Sequence, residues 1–158
     1  MNRAETLFAQ AKAAGIMIAT AESCTAGMVS AAITDIAGSS TIFERGFVTY
    51  TNTAKTEMLN VSPVTLSTYG AVSEQVAAEM ALGALAQSHA QLAVSITGIA
   101  GPGGSDHKPE GRVCFGIATL AGHQTETVEF GPLGRTRVRD AATEHALDLL
   151  TAAARKFT

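Results

Sequence analysis

Apolar positions along this chain fall into short blocks whose period switches between helical and extended. Ala4–Ala14 carries helical apolar spacing and stops at Gly15. Ile16–Ala21 is a compact run containing β-branched residues that reads as a buried strand. The polar, small-residue segment Glu22–Gly27 then turns the chain, and Met28–Ile36 resumes helical spacing. Ile42–Tyr50 alternates and predicts a second strand. Asn52 is the expected N-cap of a short helix ending at Met58, and Pro63–Thr68 predicts another, with proline in its first turn. The Ala-rich stretch from Ser73 to Ser88 predicts a longer helix. Leu92–Ile96 predicts a strand that enters a glycine-rich loop at Gly98–Gly104. Arg112–Thr119 and Thr125–Phe130 predict a hairpin around Ala121-Gly122, and an amphipathic helix follows from Gly134 to about Lys156. Strand–turn–helix units followed by a hairpin predict an α/β protein. The expected architecture is a three-layer α/β/α sandwich with a mixed sheet. No linker or repeat divides the chain, so one domain over residues 1–158 is expected.

Composition narrows this further. Hydrophobic residues make up 46% of the chain, charged residues 16% and aromatics 5%, which excludes global disorder and calls for an aliphatic core. The net charge of −3, without a basic block, argues against nucleic-acid partners. No apolar run is long enough to span a membrane. Polar residues at the start give no leader signal, and Cys24 and Cys114 are expected to be free thiols, so a cytoplasmic location is expected. His89, His107, His123 and His145 are not at ligand spacing, so neither a metal nor another cofactor is expected. Low charge is compatible with a homo-oligomer.

Four segments are more polar and glycine-rich than folding requires: Ala21–Gly27, Gly38–Ser40, Thr49–Lys55 and Thr97–Lys108. Sites in open α/β sheets form at strand ends, and these segments are expected to converge on one edge. The loop Gly98–Gly104 lacks the spacings of nucleotide-triphosphate and dinucleotide loops. It either turns a corner or brings backbone N–H groups to an anion. Lys55, beside Tyr50, is either solvated or, if buried near a hydroxyl, a general base. Serine–lysine pairs substitute for serine–histidine pairs, and Ser23, Ser39 and Ser40 are the candidate nucleophiles. Ser23 and Thr25 could instead merely cap the next helix, and Ser39-Ser40 could merely form a turn. Arg135, Arg137 and Arg139 are either a solvated helix start or an anion clamp.

The runs TAESCT (20–25), TDIAGSS (34–40), FERGFVTY (43–50), GAVS (70–73) and SITGIAGP (95–102) together resemble the CinA C-terminal domain family. That resemblance spans roughly residues 5–155 and implies a three-layer α/β/α fold. It further implies hydrolysis of the carboxamide of nicotinamide mononucleotide to nicotinic acid mononucleotide and ammonia, with this small nucleotide as partner. Ser40 matches the family's nucleophile, with Ser23 as rival, and Tyr50 and Lys55 match the activating partners. Ser23, Thr25, Thr97 and Gly98 match pocket positions, and Arg135 the phosphate-side arginine. Departures are Ala26 and Thr53, where the family has Gly and Glu, a shorter 101–109 loop, and Glu110 in place of Val. A non-catalytic nucleotide-binding or interaction module of the same fold, or an amidase for another small carboxamide, are the alternatives.

Overall fold

A computed structural model describes residues 1–157. The order is α1 (Arg3–Ala14), β1 (Ile18–Glu22), α2 (Met28–Thr34), a 3-10 turn (Ser39–Thr41), β2 (Phe43–Val48), α3 (Asn52–Leu59), α4 (Pro63–Tyr69), α5 (Glu74–Ala86), β3 (Leu92–Gly98), β4 (Arg112–Thr119), β5 (Gly122–Glu129) and α6 (Arg135–Arg155). Five strands form one sheet in the order β2-β1-β3-β4-β5. The pairs β1–β2 and β1–β3 are parallel, whereas β3–β4 and β4–β5 are antiparallel, giving the mixed sheet expected of a parallel core extended by a hairpin.

Alternation along the buried strands decides which layer each side chain meets. Ile18, Leu92, Val94 and Ile96 pack with Leu7, Val29, Ile33, Val138, Ala142 and Leu150, so α1, α2 and α6 cover one face. Ala19, Ala21 and Ala93 pack with Leu59, Leu66, Val76 and Met80, so α3, α4 and α5 cover the other. Small residues on this second face let α5 sit close. Ser95 Oγ donates to the Ala77 carbonyl at 2.5 Å, an intramolecular partner for a hydroxyl that is fully buried.

Local chemistry shifts several element ends. Thr51, not Asn52, caps α3, because its hydroxyl accepts the Ala54 N–H at 3.1 Å. Ser73 caps α5 in the same way through the Val76 N–H. The expected strand at Ile42–Tyr50 is trimmed to Phe43–Val48, where pairing with β1 ends.

Parallel pairing corrects one expectation about the site. Phe43 pairs with Ile18 and Val48 with Glu22, so residues preceding β2 and residues following β1 lie at opposite ends of the strands. Gly38–Ser40 therefore sits at the sheet edge away from Glu22–Gly27 and Thr49–Lys55, and only three of the four polar segments converge.

Candidate functional site

Ser23 follows β1 directly. Its backbone N–H still donates to Ile96 of β3 at 2.9 Å, which extends the strand by one residue. Alternation then sends neighbouring side chains to opposite faces. Glu22 enters the α2 side, and Ser23 faces the layer that contains α3.

Glu22 is fully buried and its carboxylate caps α2 from outside the helix. The preceding Gly27 supplies no side-chain cap. Instead Glu22 Oε1 accepts from Thr25 Oγ1 at 2.7 Å and Val29 N at 2.9 Å. Its Oε2 accepts from Ser30 N at 3.0 Å and Ser30 Oγ at 2.6 Å. A carboxylate suits this position because the first N–H groups of a helix lack intrahelical acceptors and carry partial positive charge. Ser23 and Thr25 are thus not the caps of this helix. Thr25 is a ligand of Glu22, and the turn continues through Ala26 at φ +46°, in the left-handed region that glycine favours.

Lys55 projects from α3 and is 1% exposed. Its Nζ lies 3.0 Å from Ser23 Oγ, 3.2 Å from the Thr49 carbonyl oxygen and 3.1 Å from the Tyr50 carbonyl oxygen, donating to each as an ammonium. All three partners are neutral. Burial lowers the Lys55 pKa from its ordinary value of 10.5, opposed by the Coulombic influence of Cys24. The neighbouring Cys24 thiol is pushed up to about 11, chiefly by burial, which keeps it protonated and a poor nucleophile near neutrality.

The remaining sequence candidates divide clearly. Tyr50 lends its carbonyl to Lys55, while its exposed side chain turns to Arg135, whose Nη2 donates to Tyr50 Oη at 2.7 Å. Arg135 Nη1 donates to the Gly101 carbonyl at 2.7 Å, so this arginine joins the start of α6 to Tyr50 and to the glycine loop. Thr97 is buried, and its hydroxyl donates to the Ala71 carbonyl at 2.8 Å, tying β3 to the turn before α5. Gly98 ends β3 against β4, where an added Cβ would lie 2.7 Å from Val113 Cγ2 and 3.1 Å from the Arg112 carbonyl oxygen. Both therefore have structural duties beside the site. Ser40 is exposed in the 3-10 turn at the far end of β2, a six-residue strand. At the usual rise that strand spans about 20 Å, and Ser40 is not brought to Lys55.

Two residues that sequence reasoning undervalued shape the surroundings. Glu110 accepts from Gly103 N at 2.7 Å and Gly134 N at 2.9 Å, linking the glycine loop to the start of α6. Arg139, one turn beyond Arg135, donates through Nε to the Cys24 carbonyl at 2.9 Å and through Nη2 to the Thr25 carbonyl at 3.4 Å. The alternate arginines at the start of α6 do not mark the role of Arg139 in the sequence, since its partners lie 115 and 114 residues away. Among the described residues, no group of three or more His, Cys, Asp or Glu is placed to hold a metal ion. Nor is any helix long and apolar enough to cross a membrane.

An Escherichia coli K12 protein named nicotinamide-nucleotide amidohydrolase PncC is 52% identical over 151 residues, covering 95% of this chain and 92% of the relative. A solved competence/damage inducible protein from Agrobacterium tumefaciens superposes with a TM-score of 0.92 at 47% identity, covering 95% of this chain and 92% of the other. A solved CinA superfamily protein from Escherichia coli gives 0.88 at 35% identity, covering 96% and 90%. The CinA C-terminal domain matches residues 1–154, and the chain belongs to that family.

Proposed function

We propose that this protein is a nicotinamide-nucleotide amidohydrolase in which Ser23 is the nucleophile and Lys55 its base. The observation that carries the reading is the 3.0 Å approach of Lys55 Nζ to Ser23 Oγ inside a buried, carboxylate-free set of partners. A neutral amine has two N–H donors and one lone pair. The carbonyls of Thr49 and Tyr50 take the two donors, which leaves the lone pair facing the Ser23 hydroxyl.

In this mechanism Ser23 Oγ gives its proton to Lys55 and attacks the carboxamide carbon. Backbone N–H groups of the surrounding turns receive the developing oxyanion; one such donor contributes about 3–4 kcal/mol in a comparable hydrolase. Lys55 then returns its proton to the nitrogen, the C–N bond breaks, and ammonia leaves an acyl ester on Ser23. Water, deprotonated by Lys55, attacks that ester and releases nicotinic acid mononucleotide with Ser23 restored. Every proton passes through one amine, and no metal is called for.

Tyr50 acts through two atoms. Its carbonyl orients Lys55, and its hydroxyl is held by Arg135 at the mouth. Arg135 keeps the only formal charge of that pair, which suits it to meet the nucleotide phosphate. A pure binding module would have no use for a desolvated lysine aimed at a serine, since burying an ammonium without a counter-charge is costly. Incubation of the purified protein with nicotinamide mononucleotide, with ammonia and the acid mononucleotide both quantified, tests the reading. Equimolar release supports it, and an inert protein that still binds the nucleotide refutes it.

A further inference from the structure

The alternate arginines at the start of α6 invite a common role around an anion, yet the structure separates them. Arg135 reaches outward to Tyr50 and Gly101. Arg139 is only partly exposed and turns inward, under the turn that carries Ser23. Two of its N–H donors, on Nε and Nη2, go to the carbonyls of the two residues that follow Ser23. Glu22 holds Thr25 Oγ1 and the first amides of α2. The turn is therefore held by two opposite charges, one on the strand before it and one on a helix 115 residues away in the chain.

We propose that Arg139 is a positioning residue for the Ser23 nucleophile and not a ligand of the substrate phosphate. Three physical arguments converge. Residues 24–26 form a short turn whose Ala26 adopts φ +46°, so the backbone by itself does not favour this path. A charged donor on the Cys24 carbonyl restrains it more strongly than a neutral one would. And because a peptide unit is planar and trans, fixing the Cys24 carbonyl also fixes the Thr25 N–H on the opposite side of the same plane. Arg139 thus sets both where Ser23 Oγ stands relative to Lys55 and which way the next amide points. An arginine is required because its fork reaches two successive carbonyls, which a lysine cannot do in one geometry.

The inference rests on Ser23 being the nucleophile, and the test separates the two. An alkyl fluorophosphonate reports serine reactivity without any nucleotide: Ser23 Oγ forms a bond to phosphorus, fluoride leaves, and the mass gain locates the residue. In Arg139→Gln the labelling rate of Ser23 should fall about tenfold to a hundredfold, the scale on which small misplacements of reacting groups act. In the same variant kcat for nicotinamide mononucleotide should fall by a similar factor with KM changed less than about threefold. Nicotinamide riboside, which lacks the phosphate, should lose the same fraction of its rate. Arg139→Lys should recover part of the labelling rate, a partial rescue that a general loosening of α6 would not produce. Arg139→Gln labelled at the wild-type rate overturns the inference, as does a raised KM for the mononucleotide with kcat and the riboside reaction intact. Wild-type protein labelled elsewhere than at Ser23 overturns the nucleophile assignment and the inference with it. If Arg139→Gln does not fold, Arg139→Lys carries the same two comparisons, and wild-type values in that variant overturn the inference.

Discussion

Replacing Glu22 by Gln should cost this protein more stability than any other isosteric change near the site. The carboxylate is fully buried and accepts from four donors, two on each oxygen. A glutamine amide keeps one oxygen and turns the other acceptor into a donor. Whichever way it is placed, two of the four donors then face an N–H group. A buried donor left without an acceptor costs about 1–3 kcal/mol. The oxygen that survives best faces Thr25 Oγ1 and Val29 N, because Ser30 Oγ has a second partner in Thr20 Oγ1 at 2.7 Å. With that relief the two losses sum to about 2–4 kcal/mol. For a domain of this size each kcal/mol moves Tm by about 2–4 °C, so a fall of about 4–16 °C is expected. Calorimetry on the wild type and the variant measures it, with a urea titration to check that the m value is unchanged. A Tm within about 2 °C of wild type would refute the reasoning, because it would mean that the capping bonds contribute nothing net.

The remaining expectations concern the lysine and the turn. Burial lowers the Lys55 pKa from 10.5, and the neutral amine is the active form. The kcat/KM for the mononucleotide should therefore fall about tenfold per pH unit below the Lys55 pKa and level off above it. A kcat/KM with no acid limb at any pH at which the protein stays folded contradicts a lysine base. The same depression means that the unfolded chain holds the extra proton between the folded and ordinary values, so stability should rise with pH through that window. Ala26→Gly removes the left-handed alanine from the exposed corner of the turn and should raise stability by about 1 kcal/mol in a thermal melt. A lower Tm would show that Ala26 is held there by contacts worth more than the backbone strain.

The layered fold was readable from periodicity because each strand is bounded by turn chemistry and each helix by a cap or a glycine. Ile18–Glu22 and Leu92–Gly98 are buried on both faces, as expected of central strands lying between two helical layers. The site was readable in its residue types and only partly in its pairing. Lys55 could be picked as a base candidate because a lysine follows a strand end beside small polar residues, and Ser23 stood among the nucleophile candidates. Nothing local distinguishes Ser23 from Ser40, since both lie in small-residue turns before or after a strand. What brings Ser23 rather than Ser40 to Lys55 is that β1 and β2 run parallel, which places the residue after one strand and the residue before the other at opposite ends of the strands. Glu22 and Arg139 were illegible for a related reason. Their partners lie across a turn or across the chain, and a buried acid beside a serine reads in sequence like any polar loop residue. Spacing alone left Arg135 between a solvated helix start and an anion clamp, and its contacts to Tyr50 and Gly101 tie it to the segments around Lys55 and the glycine loop.

The central claim is that Ser23, and not Ser40, carries the chemistry. It is tested most directly by measuring ammonia release from nicotinamide mononucleotide by Ser23→Ala and Ser40→Ala side by side, with circular dichroism confirming that both fold. Ser23→Ala should lose activity by about 10⁴-fold or more, as removal of the nucleophile does in other serine hydrolases, while Ser40→Ala should retain at least half of the wild-type rate. An inactive Ser40→Ala beside an active Ser23→Ala would contradict the account.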